Sequence, residues 1–539
     1  MPASPAALLT RQIEDFTASM LGEADVSRFP DHGKAIHDAV WGTHIFHPWE
    51  IALVDTPLMQ RLRGIKQTSF AYLTYPAANH TRFEHSLGVV VTADRLLDAL
   101  TANQPPNLKP RPDDRIRVRL AALLHDCGHL FLSHIGEAQL VGDPQIAGVR
   151  KSAAKLAKPK THELLSYMIV SSKAFRSYFK LLQRRYRDQS YELGDVDIGE
   201  VANYIIGEAH YRRKHFADMI NGPFDADKLD YLTRDAYFTG LRISLDIDRL
   251  LYSMTIRVVD QEWMRKRSSE TAPEGEPKKK VSLKCPRRLV VRASGVSALE
   301  QILFAKMQLV ATVYHHHKIR AADTMLTSYV EYLRENAPGG GSAVPLQSPI
   351  EYLQWTDADW LVGNHPDEYL SSVAKRLRNR DLPKRALVIS SRTADSGLEN
   401  FTRLKRHPKR VAILAELRRD VMEELTLKAP GHGLEEHDLI IDMPEEPSLR
   451  EARQTAILTP DESLAILDEY FPSGGWLETY VSNKWRAHVF CRDGANGLRL
   501  KVAKAARDVF GRDDGLHLKL SDEAFIQAHL APADVESSY

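Results

Sequence analysis

The densest run of chemistry in this chain is LLHDCGHLFLSH, in which His125 and Asp126 stand side by side and His129 and His134 follow within nine residues. Imidazole and carboxylate groups both offer lone pairs near neutral pH. Together they suit a borderline-hard divalent ion such as Fe, Mn, Zn or Mg. A single His-Asp pair is ordinary surface sequence. Four such groups in an apolar segment are not, because each buried polar side chain needs a hydrogen bond or a ligand bond. His129 lies four residues after His125, so the two share a face if the helix leading into the motif continues.

Three further stretches carry reactive types. TRFEHSLGV supplies Arg82, Glu84 and His85, and THELL supplies His162 and Glu163. NGPFDADKLDYLTRDAYFTG brings Asp225, Asp227, Lys228, Asp230, Tyr231, Arg234 and Asp235. Charge pairs three and four apart on a solvated helix would explain most of the last stretch. Asp225 and Asp227, two apart ahead of that helix, fit a metal or phosphate site better.

The elements that position these groups read as mainly helical. Ile116, Leu120, Leu123 and Leu124 recur at helical spacing up to His125. Thr161 is placed to cap a helix that carries His162 and Glu163. The alternating LYSMTIRVVD and RLVVRAS predict two short strands. They flank a polar, basic stretch at 264–288, read as an exposed loop. A long helix is expected from about 297 to 336, broken by APGGGSAVP at 337–345. The span 348–425 reads as helices with basic segments KRLRNR and RLKRHPKR. DLIIDMP, TAILT and RAHVF look strand-like. The expected organisation is a lead-in at 1–33, a core at 34–336, a helical basic subdomain at 337–430 and an α+β region at 431–539.

Composition excludes several classes. The chain has 539 residues, 72 basic and 71 acidic, for a net charge of +1. It is neither a basic nucleic-acid coat nor an acidic disordered chain. Cys127, Cys285 and Cys491 are too scattered for a disulfide framework or a CxxC metal site. The N-terminus lacks a signal-peptide pattern, and no run of about 18 uncharged apolar residues occurs. A cytoplasmic protein with no membrane span is the expectation.

In their order along the chain these blocks resemble the HD-domain phosphohydrolases. The run HDAVWGTHIFHPWEIALVDTPLMQRLRGIKQTSFAYLTYPAANHTRFEHSLGV is similar to the branch containing the mammalian SAM-and-HD-domain dNTP triphosphohydrolase and the bacterial dGTPases. LLHDCGHLFLSH, THE, DADKLDYLTRDA and VYHHHKIRAADTM continue in that family's order. The likeness is strong over about 34–330 and weaker past 345, and no SAM domain is expected ahead of it. It implies a mainly α fold, with an HD-domain helical catalytic core and a smaller α+β C-terminal region.

The resemblance also implies roles. His85, His125, Asp126 and Asp227 would hold a divalent metal, with a second Mg arriving on the substrate phosphates. His129 would lie beside the phosphates, His134 near the α-phosphate as general acid, and His162 beside it with its tautomer set by Glu163. Arg82, Lys228 and Lys306 would bind phosphate. Tyr231 and Asp235 would lie near the sugar, Gln67 at its 3′-hydroxyl and Tyr314 against the ring. His315 takes a base-side position. The chain departs from the mammalian pattern at Thr68, Ser69, Phe70, Lys306, His315 and His317, on the base and phosphate side. A lysine at 306 cannot make the bidentate clamp of an arginine.

Asp55, Gln60, Arg61 and Arg63 match a segment that binds an activating nucleotide in the mammalian relative. DTPLMQRLR reads equally well as a helix whose arginines pair with acidic neighbours. The implied partners are a dNTP substrate, an activating nucleotide and a second or further copies of the chain, as a dimer or tetramer. The implied reaction is cleavage of a dNTP to a deoxynucleoside and triphosphate. A monophosphatase on the same metal site is the alternative within the hydrolases. A single-stranded nucleic-acid module, resting on the basic segments, is the alternative outside them.

Overall fold

The computed structural model describes residues 4–22, 26–187, 193–260, 263, 285–363, 368–404, 410–445, 451, 455–471, 475–492, 497–513 and 515–518, apart from 337–347. The chain is mainly helical with small sheets. It divides into two compact units that interleave along the sequence rather than following one another. The first comprises Met1–Leu309, Leu346–Trp360 and Ser448–Ser473. The second comprises Val310–Pro345, Leu361–Pro447 and Gly474–Tyr539. The lead-in is therefore part of the first unit. Its helix Pro5–Leu21 buries Leu9, Ile13, Phe16 and Leu21 and packs on Pro144–Ser152 and Lys173–Arg185.

At the centre of the first unit the helix Arg82–Asn103 packs against Pro112–Leu124 and Ala226–Thr239. Val89, Val90, Leu96 and Leu97 on the first, and Val118, Leu120 and Leu123 on the second, have lost essentially all contact with solvent. The two predicted strands pair antiparallel, Met254–Val258 with Arg287–Arg292. The stretch between them lies outside the described residues except for Val259, Asp260, Trp263, Cys285 and Pro286. TAILT adds a parallel strand, Ala456–Leu458, to the same sheet.

The long helix expected after 297 is interrupted. Val296–Leu309 ends in a π turn at Val310–Tyr314, and a new helix starts at His317. Among Val310–Val313, β-branched side chains at 310, 312 and 313 crowd an α turn. The widened turn relieves that crowding, and such turns recur at functional places. The run Ala293–Tyr314 has the length and hydropathy of a membrane span. Its part in the first unit instead buries Val296, Leu299, Ile302 and Leu303 in the core.

The second unit contains strand Lys384–Ile389, which the helical reading of 348–425 missed. It pairs antiparallel with Ala487–Cys491, which pairs in turn with Leu439–Asp442. The apolar ALVI that ends it puts Leu387 and Ile389 into one core with Leu439, Val489, Val502 and Phe510. KRLRNR lies largely in the helix Glu368–Arg378, where Arg376 pairs with Asp381 and Asp438. Most of RLKRHPKR lies outside the described residues.

Candidate metal centre and its histidine neighbours

The helix carrying the first apolar stripe stops at Leu124, so His125, Asp126 and His129 sit in a turn. The shared helical face expected for His125 and His129 is therefore not formed. Gly128 explains the change of direction. A Cβ there would fall 2.3 Å from the Ser166 backbone nitrogen. The Gly128 N–H donates to Ser166 Oγ at 2.8 Å, so the turn lies flat on the helix Thr161–Ser171.

Four predicted ligands converge from three places. His85 comes from the first turn of Arg82–Asn103, His125 and Asp126 from the turn, and Asp227 from the first turn of Ala226–Thr239. His85 Nε2 is 3.0 Å from Asp227 Oδ1 and 3.8 Å from Asp126 Oδ2. His125 Nε2 is 3.5 Å from Asp126 Oδ1 and 4.0 Å from Asp227 Oδ1. Both Nε2 atoms are buried and make no aligned hydrogen bond. Each ring is fixed through its other nitrogen. His125 Nδ1 lies 2.7 Å from the Ala122 carbonyl, and His85 Nδ1 lies 2.7 Å from Asp230 Oδ2. With the proton on Nδ1 in both rings, both Nε2 lone pairs face the two carboxylates, the arrangement of metal-ligating histidines. The donor set fits a divalent ion.

The electrostatics ask for a cation at this point. Burial disfavours a charged His85, but Asp227 and Asp230 outweigh it and push the ring up to about 9. Burial also opposes ionised Asp126, yet the His125 and Arg82 charges hold it well below the carboxylate range. In the same way His85, His125 and Lys228 hold Asp227 low against burial. A metal ion would supply the positive charge that otherwise has to come from a proton.

Beside this set lies a second cluster of His129, His134, Glu137 and His162. His129 and His162 stack with ring centroids 4.5 Å apart. Both ring nitrogens of His129 are buried without a partner. Burial, then the Arg82 charge, keeps this ring well below the ordinary imidazole value, and so neutral. His134 is the accessible member, its side chain 63% exposed. The backbone aims it with two consecutive left-handed residues, Leu132 (φ 54°) and Ser133 (φ 55°). For a leucine that conformation is strained and needs support. The support comes from Asp357, which accepts from the Leu132 N–H at 2.7 Å, and from Ser69, whose hydroxyl donates to the Leu132 carbonyl at 2.9 Å.

Glu137 sets the tautomers here. It receives His134 Nδ1 at 2.8 Å on one oxygen and His162 Nδ1 at 2.8 Å on the other. Glu163, expected in that role, turns back to accept the Lys160 backbone N–H at 2.9 Å. That makes Lys160 the cap residue and Thr161 the first helical residue. A carboxylate at the third helical position returns to the orphan N–H at the helix start. Glu137 was readable as the residue three positions beyond His134 on one short helix.

Arg82 reaches Asp126 Oδ2 at 2.8 Å, Ser133 Oγ and, at 3.5 Å, His134 Nε2. It thereby ties the candidate metal ligands to the accessible histidine. Lys228 bonds Asp225 Oδ2 at 2.7 Å and the Gly222 carbonyl at 2.9 Å. Asp225 is the cap of its helix, accepting the Lys228 N–H at 2.8 Å, which accounts for the pair two apart. Lys306 meets Glu451 at 2.7 Å, a partner far along the chain that spacing could not reveal. Tyr231 is half-buried, and burial with the Asp227 charge holds its phenol well above the usual range. Asp235 accepts from buried His80 at 2.7 Å. Gln67 is buried with Oε1 unpartnered, and its backbone N–H donates to the His80 carbonyl at 3.0 Å. Tyr314 and His315 belong to the second unit, at the π turn.

The residues matched to an activator site serve the fold in other ways. Buried Arg61 donates to the Cys127 carbonyl at 3.0 Å and the His129 carbonyl at 2.8 Å. It holds the turn that carries His125 and Asp126 and does not face solvent as a phosphate ligand would. Arg63 lies over the Phe83 ring at 3.6 Å and donates to Gln60 Oε1 at 2.8 Å. Exposed Asp55 meets Lys34 at 3.5 Å.

Residues 82–205 match the HD domain family model, whose limits open on Arg82 and enclose His85, His125 and Asp126. The chain carries an HD domain. Residues 281–517 match the HD associated region. An uncharacterized protein of Methanocaldococcus jannaschii is 29% identical over 294 residues, 54% of this chain and 48% of its own length. Deoxynucleoside triphosphate triphosphohydrolase SAMHD1 of Bos taurus is 32% identical over 249 residues, 43% of this chain and 40% of that protein. The Mus musculus protein of the same name is 27% identical over 436 residues, 76% of this chain and 60% of that protein. The chain thus spans less than two thirds of the length of these relatives.

Proposed function

We propose that this HD-domain protein is a metal-dependent phosphohydrolase that cleaves deoxynucleoside triphosphates to deoxynucleoside and triphosphate. The observation that carries the reading is the pair of buried, unpartnered Nε2 atoms of His85 and His125, facing the carboxylates of Asp126 and Asp227. A divalent ion held by these four residues would polarise a phosphoryl oxygen and lower the pKa of a water toward ~7. Arg82 and Lys228 bring cationic charge to the phosphates. Neutral His129 offers an unpaired ring nitrogen next to them. Accessible His134, oriented through Nδ1 by Glu137, presents Nε2 as the proton carrier. As the water oxygen bonds to the α-phosphorus and releases a proton to solvent, the bond to the 5′-oxygen breaks, and that oxygen takes the Nε2 proton of a His134 that has entered the step in its protonated form. Gln67 and Asp235 read the sugar. The names of the vertebrate relatives support this substrate class, and a symmetric dimer or tetramer goes with it.

The test is incubation of the purified protein with each dNTP and with Mn, Fe, Zn or Mg, the products being separated by chromatography. Inorganic triphosphate and deoxynucleoside are the expected products. Stepwise release of single phosphates would favour a monophosphatase and overturn the reading.

A further inference from the structure

Asp230 is not a ligand, yet it is the most heavily bonded carboxylate near the candidate metal centre. Oδ2 receives His85 Nδ1 at 2.7 Å and Arg234 Nε at 2.8 Å. Oδ1 receives Arg234 Nη2 at 2.9 Å and Trp41 Nε1 at 2.5 Å. A carboxylate offers about four lone-pair sites, so Asp230 has no acceptor capacity to spare. Gly88, one helical turn beyond His85, makes room for it. A Cβ at that position would fall 2.0 Å from Asp230 Oδ1 and 2.2 Å from Arg234 Nη2.

The indole arrives from a distant part of the chain. Lys34–Asp38 and Gly42–Phe46 form an antiparallel hairpin with exposed positions along both strands, and Ile45 is 68% exposed. Its turn is built to deliver Trp41. Asp38 Oδ1 accepts the Val40 and Trp41 backbone N–H groups at 2.8 and 2.9 Å. The other oxygen of Asp38 reaches Arg234 Nη2 at 2.9 Å, and Arg95 lies over the indole at 5.1 Å. A tryptophan N–H needs only some acceptor when it is half-buried. Here it takes the carboxylate that orients a metal-facing histidine.

We propose that Trp41 is a positioning residue of the metal centre. Its N–H fixes Asp230, Asp230 fixes the tautomer and direction of His85, and docking of the hairpin turn thereby sets how tightly the ion is held. This rests on the reading of His85, His125, Asp126 and Asp227 as metal ligands. Groups that orient a ligating histidine typically change metal affinity by about 10- to 100-fold when removed, so loss of one of the four bonds to Asp230 should fall at the lower end.

The test uses the full chain and the Trp41→Phe variant, which keeps an aromatic ring and loses the N–H. Mn²⁺ and Zn²⁺ dissociation constants are measured by competition with a chromogenic chelator, with release rates measured alongside. Thermal unfolding of the metal-free proteins is followed in parallel. Trp41→Phe is expected to weaken binding about tenfold and to speed release. In an Asp230→Asn background it is expected to add little, because the two act in series. Asp38→Asn, which loosens Arg234, should shift affinity in the same direction and by less. A lower metal-free Tm with unchanged affinity and release in both Trp41→Phe and Asp38→Asn would mean that the hairpin is only structural, and the proposal would fall. Absence of any divalent-ion binding by the wild type would instead remove the metal reading on which the proposal stands.

Discussion

Two buried networks, one in each unit, are made of the same parts and come to different ends. In the first, Asp230 takes the fork of Arg234 and a histidine, and that histidine turns its remaining nitrogen toward more carboxylates. In the second, Asp442 takes the fork of Arg320 at 3.1 and 2.6 Å, with His488 Nδ1 at 3.8 Å. A second acid, Asp323, stands 4.0 Å from Arg320 with one oxygen buried and unbonded. Residue types alone do not tell the two apart. The first leaves two imidazole lone pairs converging on paired carboxylates, which is a demand for a cation. The second leaves a carboxylate that is cheapest to bury protonated. The first network is therefore expected to fail in function and the second in stability.

The largest effect should come from the ligands. His125→Ala combined with Asp126→Asn is expected to abolish metal binding and hydrolysis while the helical circular dichroism signal stays. Asparagine is preferable to alanine at 126 because Arg82 keeps a hydrogen-bond acceptor. Leaving a buried charge unpaired costs about 3–5 kcal/mol. Metal content by mass spectrometry and full turnover assays check both halves, and activity in a metal-free double variant would break the contrast.

Next is the pair of glutamates. Glu137→Gln should lower kcat by roughly 100-fold, since it disturbs the acid–base histidines. Glu163→Gln should leave kcat near wild type and cost about 1 kcal/mol of stability as a weakened cap. Comparable kcat losses in both would restore Glu163 to the chemistry. A smaller effect is expected at Gln67. Gln67→Leu should reduce kcat/KM for dNTPs about tenfold by removing one hydrogen bond to a sugar hydroxyl, with metal affinity unchanged. Steady-state kinetics on dNTP and NTP pairs measure it.

The effect confined to stability belongs to the second network. Burial raises the Asp323 carboxyl more than Arg320 lowers it, up to about 7 from an ordinary 3.8. Between those two values the folded chain holds a proton that the unfolded chain has released. Wild-type stability contributed by this site is therefore full below about 4 and is lost as pH rises toward 7. Asp323→Asn has no proton to lose, so its Tm relative to wild type should climb across that window and level off above it. A flat Tm difference from pH 4 to 8 would show that the carboxyl titrates normally.

Much of the first unit could be read from residue order. The apolar spacing up to Leu124 placed the ligand pair at a helix end, and the alternation on either side of 264–288 gave two strands that do pair. The four proposed ligand positions came from the resemblance of the motif blocks that carry them, not from spacing along the chain. Their supports were not legible. Trp41 and Asp230 are 189 residues apart, and Lys306 and Glu451 are 145 apart. No local period records such pairings. Asp357 escaped notice for the same reason, as it steadies Leu132 across 225 residues. Glu163 was misread because a carboxylate beside a histidine looks like its partner, whereas the helix start makes the nearer demand on it. The strand Lys384–Ile389 was hidden among basic helices because its apolar run, ALVI, is short and follows two basic residues without alternation.

The interleaving of the two units bears on how the protein is made. Glu451, which neutralises Lys306, and strand Ala456–Leu458, which lengthens the sheet of the first unit, are synthesised after most of the second unit. A ribosome that has finished the histidines and aspartates of the proposed metal centre has still not made the last pieces of the unit holding them. Late closure of long-range contacts is slow, and the nascent first unit must wait with a sheet edge unpaired. Shortened genes ending near 345 or 430 would reproduce that waiting state permanently, with every proposed metal ligand present and the first unit incomplete.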